Sequence, residues 1–327
     1  MRILFLTKRG EGCVGPPHAY HGFEMAVAKT ADCMWAGKGW PLHREGEEMN
    51  ETVDRLYGGD PPDWVVDDKN DSFKTPKRRD YRVCVFISDL HGKWNWGIKT
   101  ASGFIDLINR AGYDAVFMKY MYIHGVPEPE NIYLRALEAK PMFLPWSIDP
   151  EDYRPLTKTI DICFLGAIGH YYPMRQVIYN ELPSICEEQG LRYVMRTPPP
   201  GKTYQRKVDK LIKDHYVGEK YAKVLGQSRI LPFCSGIHVG PILKYFEGRA
   251  CGCLVMANET SEDEALGFVD GVDYVKIGLG DWKKKLIYYA KHREEAEEIA
   301  LNGRRTILKK HTHEIRARDF LEMLKNG

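Results

Sequence analysis

The 327-residue chain is marked first by what it lacks. No apolar run approaches the roughly 18 residues that a membrane-crossing helix needs, so no span is expected. The opening, MRILFLTKRG, is a short apolar run followed by charge. It has neither the long apolar region nor the small-residue cleavage site of a secretory leader, and a cytoplasmic protein is expected. No two cysteines form a C-x-x-C pair. The eight present are Cys13, Cys33, Cys84, Cys163, Cys186, Cys234, Cys251 and Cys253, several of them inside apolar runs such as VCVFI, DICFLG and ILPFC. Buried free thiols in a reducing compartment account for this better than disulfides or a zinc site. Neither sign of charge dominates: 47 Lys and Arg face 45 Asp and Glu, a net charge of +2. That balance demands neither nucleic acid nor an anionic membrane as partner. No solenoid-type repeat and no low-complexity segment is seen.

What is present is ordinary globular composition, 43% hydrophobic and 28% charged, at a length that favours two domains. RILFLT reads as a buried strand, followed by a glycine-rich loop and the helix YHGFEMAVAKTA. Strand, loop and helix in that order open a parallel α/β sheet. PDWVVD, YRVCVFISD, YDAVFMKY and PMFLPWSI are further strands; GIKTASGFIDLINRAG and ENIYLRALEAK are helices. DPEDYRPLTKT carries acids and prolines without an apolar period and reads as an interdomain linker. The alternation then restarts with strand IDICFLGAI, helix PMRQVIYNELPSICEEQG and strand LRYVMRT. Strand SRILPFC, helix GPILKYFEGRACG and strands CLVMA and DYVKI follow, and Trp282–Asn326 is helical. The expected fold is α/β, with two Rossmann-like parallel-sheet domains facing a cleft.

Ligands of open parallel sheets bind outside the carboxyl ends of the strands, where helix starts offer free N–H groups to phosphate. The loop CSGIHVGP, with Ser235, Gly236 and Gly240, stands at such a place and lets a diphosphate approach the backbone. Glu247 follows it. A carboxylate there offers two acceptor oxygens to the two hydroxyls of a ribose. In the first half, Asp89 and His91 of ISDLHGKWNWG sit at a strand's carboxyl end, and an imidazole there can serve as base near neutrality. His91 is the first choice for that role and Asp89 the second; capping of the local turn is the competing role for Asp89. Trp94 and Trp96 offer a stacking face, and His18 and His21 offer polar contacts beside the opening loop.

The stretch GPILKYFEGRACGCLVMANETSEDEALGFVDGVDYV resembles the C-terminal signature of the group 1 (family 4-like) GT-B glycosyltransferases, most of all the spore-maturation CgeB-like branch. FLPWSIDPEDYRP, KTIDICFLGAIGHYYPMRQVI, EKYAKVLGQSRILPFCSG and LNGRRTILKKHTHEIRARDFLEML are similar to further parts of that branch, so the resemblance covers roughly residues 140–325. It implies an N-terminal acceptor domain over 1–150, a nucleotide-sugar donor domain over 151–303, and a C-terminal helix over 304–327 that returns to the first domain. It makes Glu247 the ribose ligand and Lys244 or Arg249 the diphosphate contact. Gly166 and Gly169 form a loop closing over the donor, and Arg196 and Tyr221 border the base. Retaining relatives carry a second glutamate eight positions earlier, where this chain has Val239.

The implied activity is transfer of a sugar from a nucleoside diphosphate, UDP- or GDP-linked, to a hydroxyl acceptor. No metal and no cofactor are expected; WVVDDKND is an acidic run heading a charged loop, not a D-x-D motif in a cleft. Two alternatives stand beside it. One is a glycosyltransferase acting on a hydroxymethylated base in DNA, with KTPKRR, Trp94 and Trp96 toward the nucleic acid. The other is a non-catalytic nucleotide-sugar-binding protein of the same fold.

Overall fold

The computed structural model describes residues 1–11, 16–67, 76, 79–87, 101–120, 137–196, 216–237 and 239–327. The first sheet holds six strands: β1 (Arg2–Leu6), β2 (Asp32–Trp35), β3 (Trp64–Asp67), β4 (Arg82–Ile87), β5 (Ala115–Met118) and β6 (Lys140–Phe143). They lie in the order β2-β1-β3-β4-β5-β6, every pairing parallel. The second sheet holds β7 (Ile160–Leu165), β8 (Tyr193–Arg196), β9 (Ser228–Pro232), β10 (Leu254–Ala257) and β11 (Val275–Lys276), in the order β11-β10-β9-β7-β8, again all parallel. Parallel strands are covered on both faces and read as unbroken apolar runs. Accordingly β3, β5 and β10 are buried at every position.

Ten helices lie among the described residues: α1 (Pro16–Val27), α2 (Met49–Tyr57), α3 (Ala101–Ala111), α4 (Pro173–Gln189), α5 (Gly218–Gln227), α6 (Lys244–Ala250), α7 (Asp263–Leu266), α8 (Trp282–Lys291), α9 (Arg293–Lys310) and α10 (His313–Asn326). By its internal contacts the chain divides into a unit of Met1–Glu11, Phe23–Pro145 and Arg316–Gly327 and a unit of Gly12–Gly22 and Trp146–Ile315. The first unit is cored by residues such as Leu4, Val65, Val85, Ile108 and Val116. Phe320 of α10 belongs to it, set among the rings of Phe23, Phe86 and Phe117. The second unit is cored by Ile162, Phe164, Ile178, Ile230, Leu254, Trp282 and Ile299. The sequence-based boundary at 303/304 lies inside α9.

Both sheets share one order. Renumbered within its own domain, the second reads 5-4-3-1-2, the flavodoxin-like 2-1-3-4-5 seen from the other edge. The order reverses beside the first strand of each sheet, between β1 and β3 and between β7 and β9. The loops leaving the carboxyl ends of those pairs diverge and leave a crevice for a ligand.

Several elements differ from the sequence reading. β2 and α2 were not expected. β2 is an edge strand of four residues, none of them fully buried, so it has no apolar run to display. α2 is polar on average and is started by Glu48 and Glu51, which bond reciprocally across the first turn in the manner of a capping box. The helix expected from Gly240 begins only at Lys244. The segment read as an interdomain linker is irregular, and its second half is tied to the second unit: Leu156 N–H donates to Gly226 O and Thr159 N–H to Gln227 O, both at 3.0 Å.

Gly303 lies inside α9, where alanine is intrinsically better by about 1 kcal/mol. A Cβ at this position would stand 2.4 Å from Asp273 O and 3.3 Å from the Arg249 stem. The clash outweighs the propensity gain, so Gly303→Ala lowers the melting temperature; a thermal melt with an unchanged or raised midpoint would remove this packing argument.

Candidate functional site

The crevice at the β7/β9 reversal is built from four short elements. Gly166 and Gly169 lie in the loop after β7, which leads to α4, whose first residue is Pro173. Pro is suited to that position because the missing N–H has no helical partner to lose. Gly169 has a φ of 131° and its carbonyl accepts from Tyr172 N–H at 2.8 Å. After β9, Ser235 is buried and locked to Asn258: its N–H donates to Asn258 Oδ1 at 2.7 Å, and Asn258 Nδ2 donates to Ser235 Oγ at 2.9 Å. Gly236 has a φ of 95°, and a Cβ there would meet Tyr171 O at 2.7 Å. Gly240 is buried in the same loop.

Two cations meet at this end of the sheet. Arg175, on the first turn of α4, is 3% exposed. Its Nε donates to Cys234 O at 2.7 Å and its Nη1 to Ala167 O at 3.3 Å, so it bridges the ends of β9 and β7. The guanidinium stacks on Tyr172, 3.9 Å from the ring centroid. Its Nη2 is buried and has no hydrogen-bond partner. Lys244, the first residue of α6, donates from Nζ to Tyr221 OH at 2.9 Å. Burial lowers its pKa to about 8, with Arg175 adding to the fall and Glu247 opposing it. Gly166 lies beside both, since a Cβ there would sit 3.3 Å from Arg175 Nη1 and 3.6 Å from Lys244 Cε. Two neighbouring cations, one with an unmatched buried donor, at a strand-order reversal and a helix start make an electrostatic seat for a dianion.

One turn along α6 from Lys244, Glu247 is 5% exposed. Its Oε1 accepts from Tyr153 OH at 2.9 Å and its Oε2 from Tyr221 OH at 2.7 Å. Burial, followed by the Glu247 charge, raises both phenols well above their ordinary pKa, so both remain donors. A carboxylate has about four acceptor positions, so two remain for another donor. Tyr221 is therefore a partner of Glu247 and Lys244. Arg196, at the end of β8, is exposed; it donates to Met195 O at 2.8 Å and lies 5.6 Å from the Tyr216 ring centroid.

Arg249 is placed elsewhere. It is 0% exposed, enclosed by Phe268, Tyr274 and Tyr245 at 3.8, 4.9 and 5.6 Å, and donates to Asp273 O and Tyr245 O. Burial lowers its pKa to about 10. This sealed side chain braces the helix–strand packing, and of the two sequence-based alternatives for an anion contact only Lys244 lies beside Arg175. His18 on α1 bonds Asp152 at 2.9 Å through Nε2, and this partner raises its pKa. His21 is half-buried on the same helix. Asp89, His91, Trp94 and Trp96 lie outside the described residues. Among the described residues, no group of three His, Cys, Asp or Glu side chains is arranged to hold a metal ion, and no helix is long and apolar enough to cross a membrane.

The sequence reading missed Arg175, Tyr153 and Asn258. The signal for Arg175 was a cation in the first turn of a helix, where the dipole disfavours it. Tyr153 was hidden by the linker-like composition around it.

Residues 187–322 match a family model described as glycosyl transferase-like. No curated protein matches the chain significantly. Among solved structures, an α-glucosyltransferase in complex with UDP and a 13-mer DNA aligns at a TM-score of 0.65 and 10% identity, over 99% of this chain and 100% of that one. HepE from Anabaena, in complex with UDP and glucose, aligns at 0.62 and 10%, over 100% of both chains. Sucrose-phosphate synthase from Thermosynechococcus elongatus aligns at 0.61 and 11%, over 100% and 98%. The two parallel-sheet α/β domains thus have the GT-B fold.

The two cations of α6 are expected to respond oppositely to removal. Arg249→Met leaves carbonyl acceptors buried without a donor and lowers stability by about 2 kcal/mol or more. Lys244→Met removes a half-buried charge and raises stability at pH 7. The folded-state pKa of Lys244 is about 8 against an ordinary 10.5, so the folded protein binds fewer protons across that window. Wild type therefore gains stability as pH rises from 8 to 10.5, and its deficit against Lys244→Met narrows. Urea denaturation at pH 7 and 10 checks this; a constant difference would show that Lys244 is not buried as a cation.

Proposed function

We propose that the chain is a glycosyltransferase that transfers a sugar from a nucleoside diphosphate donor, UDP- or GDP-linked, to a hydroxyl acceptor without a metal. The observation that carries this reading is the adjacency of Arg175, Lys244 and Glu247 at the β7/β9 reversal, a dication beside a carboxylate. Arg175 and Lys244 hold the diphosphate, with the start of α4 behind it. Glu247 accepts from the ribose hydroxyls through the acceptor positions its tyrosines leave, or one tyrosine yields its place. Charge accumulates on the diphosphate as the glycosidic bond breaks, and fixed cations in a dry site stabilise that charge in the transition state. This supplies the leaving-group stabilisation for which a metal would otherwise be needed. His91, with Asp89 as second choice, is the base for the acceptor hydroxyl, and His18 and His21 are contacts on the acceptor side. The similarity of residues 187–322 to a glycosyl transferase-like family supports the reading.

A second reading is favoured by one structural neighbour, whose complex holds both UDP and DNA. In it the acceptor is a hydroxymethylated base in a duplex. Duplex binding that falls steeply with salt, followed by transfer to a hydroxymethylated but not an unmodified duplex, distinguishes it from a glycan or small-molecule acceptor.

Calorimetry with UDP and with GDP, in EDTA, tests the donor site. One of them binds; Glu247→Ala weakens it by about 1.5–3 kcal/mol, the range for a hydrogen bond to a charged group, in a protein that still folds. A strict need for Mg²⁺ would overturn the metal-free mechanism, and unchanged affinity in the variant would overturn the ribose assignment. Lys244 must be protonated to attract the diphosphate, so affinity declines above about pH 8, by up to tenfold per unit. Lys244→Arg removes that decline.

A further inference from the structure

The opposite end of the second sheet carries a cleft of about 500 Å³ that the donor reading does not use. It is bordered by the starts of β7 and β9, the segment around Lys158, the end of α8 and the first half of α9. β7 alone, from Ile160 to Leu165, separates it from the Gly166 loop by about 17 Å at the usual strand rise. The cleft is distinct from the donor crevice and lies at the amino ends of the strands.

Its lining carries Lys158, Arg229, Arg293 and Arg304 against Asp161 and Glu297, an excess of two positive charges. The partners are unevenly shared. Lys158 Nζ donates to Ser228 O and Cys251 O, both at 2.8 Å, and Arg304 Nε donates to Ala250 O at 3.2 Å. Asp161 is taken up by Arg192, which lies outside the lining and reaches it through both backbone N–H and guanidinium. Arg229 and Arg293 approach Asp161 only at 3.8 and 3.7 Å. Arg229 bonds Glu297 through Nη1, but its Nε is buried with no hydrogen-bond partner. Arg293 makes no hydrogen bond among the described residues and is half-exposed toward solvent. The rest of the lining includes an apolar surface that stays open, formed by Tyr289, Ala290 and the exposed Leu301.

We propose that this cleft is a second ligand site, for a small organic anion with an oxyanion head on Arg229 and Arg293 and an apolar body against Tyr289, Ala290 and Leu301. Arg229 and Arg293 meet Asp161 only at the outer limit of an ion pair, and an oxyanion in the cleft answers the excess charge with charge-assisted hydrogen bonds. An aliphatic or aromatic body of a few atoms fills the remaining volume. An inorganic ion would leave that surface uncovered.

Phenyl phosphate is the probe, titrated calorimetrically into the full chain, with hydrogen exchange to locate it. Saturable binding is expected, with slowed exchange over the start of β9 and the first half of α9. Arg293→Glu weakens it at least tenfold. Arg305→Glu makes the same charge change on α9 at an exposed residue outside the cleft, and leaves affinity within twofold. Circular dichroism confirms that both variants are folded, and the milder Arg293→Ala, expected to weaken binding to a smaller degree, serves if Arg293→Glu is not. Absence of saturation up to about 10 mM overturns the proposal, that being affinity too weak for a built site. Equal losses in both charge reversals, or protection confined to the loops after β7 and β9, overturn it as well.

Discussion

Arg175 is held out of water and Lys244 half out of it, near one another at the carboxyl end of a parallel sheet, and much of the second domain is arranged around that fact. Taking a cation from water costs several kcal/mol unless partners repay it. The two solve this differently. Arg175 cannot lose its proton, so it is given carbonyls at the ends of two strands and the face of Tyr172. Lys244 can, and its pKa falls to about 8. Gly166 runs close beside both groups, and a Cβ there would press on Arg175 Nη1 at 3.3 Å. Glu247 is close enough to oppose the fall at Lys244, and two tyrosines tie it to α5 and to the segment before β7. The crevice is therefore preformed in charge and shape.

The seven residues of α6 show how far helix geometry decides role. Lys244 and Glu247 are three residues apart and share a face. Arg249 is five from Lys244, about 140° around the axis at 3.6 residues per turn. It points into the packing against Phe268 and Tyr274 rather than toward Arg175. The motif around Glu247 drew attention to both basic residues, but one axial projection separates them. That information was in the sequence, since both residues lie inside the helix whether it starts at Gly240 or at Lys244.

The legible part of the fold was the part buried on both faces. β3, β5 and β10 are apolar runs because parallel strands have no solvent side, and the alternation with helices followed directly. β2 and α2 were not legible because edge position and a polar helix surface remove that pattern. The site was legible where chemistry is local: small residues after a strand, then a carboxylate. It was not legible where chemistry is assembled across distance. Tyr153 stands 94 residues from the carboxylate it serves, and Asn258 holds Ser235 across 23. Arg175 stands 59 residues from the carbonyl that orients it. Such contacts follow from strand order, and the reversal between β7 and β9 is set by pairing, not by composition.

Val239 bears on how the chemistry is divided. It occupies the position where retaining relatives of the resembled family carry a second glutamate, in the loop between β9 and α6. Its φ is 53°, a left-handed backbone conformation that a β-branched residue adopts at a cost, and its side chain is exposed. An isopropyl group offers neither charge nor hydrogen bond to a sugar. Glu247 is already engaged by two phenols, Arg175 is a donor only, and Lys244 donates while it keeps its proton. On the proposed reading the protonated Lys244 and Arg175 serve the leaving dianion, and a Lys244 that gave up its proton to act as base would lose that role. The proposed function accordingly gives this constellation an electrostatic part and seeks the base for the acceptor outside it.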